Sequence, residues 1–85
     1  MIMNEQRLRT FLKERFPDYT DQLTLDDDLA SVVDSLGLFD LVGFIETDFN
    51  LRIPTAMFSP DRFTTLGRTL AFIAEMQTHP TARKG

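Results

Sequence analysis

Apolar residues near the start of the chain fall at Leu8, Phe11, Leu12 and Phe16, with Arg7, Arg9, Lys13 and Glu14 around them. That spacing draws one apolar stripe along a helix over residues 4–16. Pro17 ends it, because proline cannot continue the hydrogen-bond ladder and disfavours helical geometry in the residue before it. A second stripe, Leu38, Leu41, Val42, Ile45 and Phe49, predicts a helix over 35–49, with Asp40, Glu46, Thr47 and Asp48 on more exposed faces. Asp34 stands just before it and suits an N-cap, since a carboxylate there accepts hydrogen bonds from the free N–H groups of the first turn. A third stripe, Leu66, Leu70 and Ile73, helped by Thr69, Phe72 and Met76, predicts a helix over 66–77 capped by Thr64 or Thr65.

The connections differ in character. Residues 17–34 form a long link whose Leu23, Leu25, Leu29, Val32 and Val33 read as apolar anchors onto the core. Asn50-Leu51-Arg52-Ile53-Pro54 runs extended ahead of its proline. Ser59-Pro60-Asp61-Arg62-Phe63 reads as a short helical turn, with Ser59 as N-cap and Pro60 at the first helical position. The fold class is therefore all-α: a four-helix bundle of three long helices and one short helix. A single domain is expected over residues 1–85, with its core at about 5–77 and a flexible tail over 78–85.

Composition narrows the function. A chain of 85 residues without Cys or Trp has no disulfide and no thiolate metal site, so its eight Phe must supply much of the core. The N-terminus lacks the charged start and apolar run of a signal peptide, and no segment is apolar enough to span a membrane, so a cytoplasmic protein is expected. No Lys or Arg lies between Arg15 and Arg52, an interval that holds nine of the thirteen acids. Such a field disfavours nucleic acid and favours basic protein surfaces, or serves only solubility. The Asp26-Asp27-Asp28 run lacks the glycine and the final glutamate of a calcium loop, so no metal is expected.

The candidate chemistry centres on Ser35, at the predicted start of the second helix. A phosphate ester there would sit at the positive end of the helix dipole. Nucleophilic catalysis would need a base, and the only His is His79, in the tail. There is also no Gly-x-Ser-x-Gly elbow, so no catalytic residue is assigned. Phe39, one turn after Ser35, is expected in the core, the alternative being a gate over an apolar cleft. Gly43 costs its helix roughly 1 kcal/mol relative to Ala, which suggests either a flat patch for close approach or relief of crowding by Phe39 or Phe44.

The order of these features resembles the acyl or peptidyl carrier protein family. The likeness covers roughly residues 5–77. It rests on Leu25-Asp26-Asp27-Asp28-Leu29, Asp34-Ser35-Leu36, Glu46-Thr47-Asp48-Phe49, Arg52-Ile53-Pro54 and Phe63-Thr64-Thr65-Leu66. The resemblance implies that Ser35, flanked by Asp34 and Leu36, carries covalent 4′-phosphopantetheine installed from coenzyme A by a phosphopantetheinyl transferase. The arm's thiol then holds an acyl or aminoacyl group as a thioester. It further implies partners: a loading ligase or acyltransferase, and a synthase or transferase with a basic docking surface. Their contact face would be Leu36, Leu38, Phe39, Asp40, Gly43, Glu46 and Thr47, and the carrier would be a monomer. Gly37 and Leu38 replace residues that are often polar in the family, and the segment from Ile53 to Phe63 is longer than in the fatty-acid type. Both features point to a discrete carrier of a specialised-metabolite or related lipid pathway rather than housekeeping fatty acid biosynthesis. The competing interpretation is a non-catalytic helical interaction module without a prosthetic group, in which Asp34-Ser35 is only a helix cap.

Overall fold

A computed structural model describes residues 2–78 of the chain. Its three long helices are α1 (Ile2–Arg15), α2 (Ser35–Asp48) and α3 (Leu66–Thr78). Short 3₁₀ turns at Leu29–Ser31, Thr55–Met57 and Pro60–Phe63 punctuate the connections. The helices match the expected ones to within a residue or two at each end. The last of them includes Thr78, and the tail expected beyond it lies outside the described residues. Ser59 has the extended backbone of a cap but makes no side-chain cap hydrogen bond, so Pro60 starts that turn without help. None of the described helices is long and apolar enough to cross a membrane.

Each helix sends one stripe inward. Leu8, Leu12 and Phe16 come from α1 and its end, Leu41 and Ile45 from α2, and Leu66, Phe72, Ile73 and Met76 from α3. Phe49, Leu51 and Phe63 close the remaining gaps. Two expectations are corrected here. Leu70 is only partly buried, while Thr69 and Phe72 are fully buried. Thr69 can lie inside because its hydroxyl donates to the Thr65 carbonyl oxygen at 2.9 Å. Val42 and Leu38 likewise pack against the core from its edge rather than within it.

The long link before α2 is ordered by its own caps. Asp27 accepts from the Thr24 N–H at 2.8 Å, and Asp28 accepts from the Ala30 N–H at 2.9 Å. Leu29 and Tyr19 are buried beneath it, whereas Leu25, expected as an anchor, is exposed. Backbone contacts hold the link at Leu25. The Gly67 N–H donates to the Leu25 carbonyl at 2.8 Å, the Leu29 N–H donates to the Thr64 carbonyl at 2.9 Å, and Asp28 pairs with Thr65 in an isolated β-bridge. The approach to α2 is thereby sewn to the start of α3, which Thr65 caps through the Arg68 N–H at 3.0 Å.

Across the α1–α2 face the two helices run antiparallel and match rung by rung. Arg15 pairs with Asp40 at 3.2 Å, Phe11 stacks on Phe44 with ring centroids 4.2 Å apart, and Arg7 pairs with Asp48 at 2.8 Å. Arg7 also donates to the Asp48 carbonyl at 2.6 Å and lies over the Phe49 ring. Exposed ion pairs of this kind add little stability singly, at about 0–1 kcal/mol. Their larger effect is on the charge that α2 shows to solvent.

Candidate functional site

Asp34 has extended backbone at the head of α2, and its Oδ1 accepts from the Gly37 N–H at 2.6 Å. One of the first-turn donors is thus satisfied by a charged acceptor, which fixes where the helix begins. Ser35 is therefore the first helical residue, and it is exposed. Its hydroxyl stands at the positive end of a 14-residue helix.

Gly37 explains how close this helix start comes to α1. It is buried, and a Cβ built on it would lie 2.6 Å from Cε1 of Phe16. The ring of Phe16 fills the place of the missing side chain. Gly37 is thus a packing residue at the base of the site, although the sequence pointed to it as a mark of cargo or partner.

Beside Ser35 lies a cleft of about 180 Å³ walled by Leu29, Val33, Leu38, Pro60 and Phe63, with Asp28 and Asp34 at its rim. Leu38, expected in the buried stripe, is half-buried and forms a wall of this cleft. The arrangement offers an accessible hydroxyl on a fixed backbone and an apolar shelf within reach of anything attached to it. Among the described residues there is no histidine to act as its general base. The site suits attachment and presentation of a group. A phosphopantetheine phosphodiester would fit these residues: the Ser35 hydroxyl would give the oxygen, and the cleft would give apolar surface for the arm.

The other residues named from the sequence fall into two groups. Leu36, Phe39, Asp40, Gly43 and Thr47 share the exposed side of α2 with Ser35. Phe39 is 70% exposed, which overturns its expected place in the core. The burial habit of phenylalanine misleads here, because Leu38 already occupies the inward position next to it. Apart from its chain neighbours, nothing lies within 4 Å of a Cβ built on Gly43, so that glycine relieves no crowding by Phe39. Glu46 is drawn the other way, its Oε2 accepting from the Ile53 N–H at 2.9 Å, and it secures the chain where it leaves α2.

The acidic field is also altered by the fold. Lys13 reaches Asp21, Arg15 reaches Asp40 and Arg7 reaches Asp48, so the base-free segment borrows its counter-charges from α1. Arg15 and Arg7 are functional neighbours that sequence reasoning missed. The signal was present as mirrored spacing: Arg7, Phe11 and Arg15 at every fourth position, answered by Asp40, Phe44 and Asp48 in reverse. Tyr19 was missed too. Its hydroxyl accepts from Arg9 at 3.2 Å, and the Arg9 guanidinium is held above its ordinary pKa chiefly by this bond.

Comparison with known proteins finds D-alanyl carrier proteins of Streptococcus pyogenes in serotypes M5, M49 and M1. Each is 34% identical to this chain over 55 residues, covering 62% of this chain and 70% of the relative. No family model matches the chain, and no solved structure matches it with significance.

Proposed function

This chain belongs to the phosphopantetheine-binding carrier protein family, and we propose that Ser35 is the residue that bears its prosthetic group. Members of the family are carriers, not catalysts. The observation that carries the assignment is the exposed Ser35 hydroxyl at the head of α2, fixed by the Asp34 cap and bordered by an apolar cleft. The Ser35 oxygen forms the new bond to the phosphorus of coenzyme A's pantetheine-bearing phosphate. The pyrophosphate link breaks, the nucleotide half leaves, and the serine proton passes to solvent. Once attached, the group supplies a thiol on a long arm, which explains how a chain without Cys handles thioester cargo. Asp34 keeps the helix start in register, and Leu38 supplies a wall of the cleft beside it.

The cargo is an aminoacyl group. The named relatives carry D-alanine by their names, and the cleft beside Ser35 is small. Both favour a short amino acid over a long acyl chain in a fatty acid, polyketide or specialised-metabolite route. An ATP-dependent ligase would load it and an acyl-accepting transferase would unload it, both approaching over the exposed side of α2.

Intact-mass measurement tests this. The unmodified protein is incubated with coenzyme A and a broad-specificity phosphopantetheinyl transferase. A gain of one phosphopantetheinyl unit on the parent and none on Ser35→Ala is expected. No gain on the parent protein would overturn the assignment and favour the bare interaction module.

A further inference from the structure

One side of α2 draws a track that starts at Ser35. Phe39, Val42 and Glu46 follow it at successive helical turns. At 1.5 Å per residue, Glu46 lies about 16 Å along the axis from Ser35. The track runs into a cleft of about 220 Å³, in which Phe39, Val42 and Glu46 face Ile53, Thr55 and Phe58. The connection after α2 folds back to supply that second wall, and the Ile53 N–H holds it by donating to Glu46 Oε2 at 2.9 Å.

The cleft is uneven in chemistry. Val42, Ile53 and Phe58 are half-buried and apolar, Phe39 stands exposed at its mouth, and a half-buried Glu46 brings the charge. A hydrogen bond from a neutral N–H leaves the carboxylate its charge. Among the described residues that line the cleft there is no lysine or arginine. Arg52, just before Ile53, is exposed, and Asp40, just after Phe39, turns to Arg15 at 3.2 Å. A partly desolvated carboxylate attracts a small cation more strongly than one in open water, and nearby aromatic rings favour the same charge. A neutral group of equal size would cover the carboxylate and return nothing for its lost hydration.

An extended phosphopantetheine arm spans roughly 18 Å from the serine oxygen to its sulfur, at about 1.3 Å gained per covalent bond. Laid along the track from Ser35, it brings a thioester to the level of Glu46. The cleft at Leu29 and Leu38 borders the root of the arm instead. We propose that Glu46 selects the cargo by charge. The α-ammonium of a short aminoacyl thioester sits against the Glu46 carboxylate, and the amino acid's side chain lies on Val42, Ile53 and Phe58. Glu46, expected on the partner face, then serves the cargo. The inference rests on Ser35 as the attachment residue and on an aminoacyl cargo.

The test loads the full chain with coenzyme A analogues in which a stable amide replaces the thioester, using a broad-specificity phosphopantetheinyl transferase and checking each product by intact mass. One analogue carries D-alanyl. The other carries propionyl, which has the same carbon skeleton without the amine. In amide correlation spectra the D-alanyl form should shift the resonances of Val42, Glu46 and Phe58, and the propionyl form should leave them near those of the cargo-free arm. Glu46→Gln keeps an oxygen for the Ile53 N–H, so its melting temperature should hold while the D-alanyl shifts at the cleft are lost. The D-alanyl amine, followed by its own nitrogen label, should titrate about half to one pH unit higher on the parent than on Glu46→Gln, because a neighbouring carboxylate favours the ammonium. Equal shifts from both cargoes, D-alanyl shifts that survive Glu46→Gln, shifts confined to the residues around Ser35, or an amine that titrates alike on both proteins would each overturn the inference alone. Absence of any mass gain on the parent protein would overturn the Ser35 assignment as well.

Discussion

Alanine in place of Gly37 and of Gly43, one at a time, makes the same chemical change twice in one helix, and stability should move in opposite directions. At Gly43 the new methyl meets nothing within 4 Å. Only helix propensity acts there, and it favours Ala by about 1 kcal/mol. At Gly37 the methyl carbon would lie 2.6 Å and 3.1 Å from two carbons of the Phe16 ring, and 3.0 Å from Asp34 Oδ1. Carbon atoms rest at about 3.5–4.0 Å, so the ring must retreat by about 1 Å. It has little room to do so: Phe16 is 9% exposed and stands edge-on to Phe11 at 5.8 Å. Overpacking of this kind costs about 1–3 kcal/mol. Crowding Asp34 also weakens a cap worth about 1 kcal/mol. Set against a propensity gain of at most about 1 kcal/mol, the expected net loss is about 1–2 kcal/mol. In a domain of this size each kcal/mol moves the melting midpoint by about 4–8 °C. Thermal melts followed by far-ultraviolet circular dichroism should therefore place Gly43→Ala several degrees above the parent and Gly37→Ala several degrees below. If Gly37→Ala melts at or above the parent, the ring of Phe16 does not occupy that space and the packing account of the helix start is wrong.

Substitutions at two further positions probe the ends of α2 by urea denaturation. Asp34→Ala should lose about 1 kcal/mol because the Gly37 N–H loses its acceptor, whereas Asp34→Asn, which caps almost as well, should lose much less. Asn50 sits at a φ of 54°, just past the helix end, where a β-carbon is strained. Asn50→Ala should cost about 1 kcal/mol and Asn50→Gly distinctly less, because glycine adopts that backbone freely; equal losses would place the cost in side-chain contacts instead.

The helices were legible because each is written by local rules: a stripe every three or four residues, a proline to stop α1, an aspartate to start α2, a threonine to start α3. The position of Ser35 came from those rules as well. The features that stayed hidden depend on partners far away in the sequence. Asp40 is paired with Arg15, a residue of α1 that no local pattern joins to it. Glu46 meets the Ile53 N–H only because the chain after α2 turns back. Phe39 was assigned inward on the habits of phenylalanine, yet Leu38 and Leu41 already supply the inward side chains of that turn, and the helix has no second inward face. Gly37 is the converse case. Its meaning lies in Phe16, a residue of the α1 end that no local pattern connects to it.

The backbone seam between the link and α3 carries a consequence for the order in which the molecule matures. Leu25, Asp28 and Leu29 are tied to Gly67, Thr65 and Thr64, all of which come after Ser35 in the chain. As the polypeptide emerges from the ribosome, α1 and α2 have the partners of their matching rungs before α3 has emerged. The walls beside the serine do not, because Phe63 and the residues that pin the link arrive later. A nascent chain short of α3 would display the serine without its surroundings, so the C-terminal helix acts as the step that completes the site.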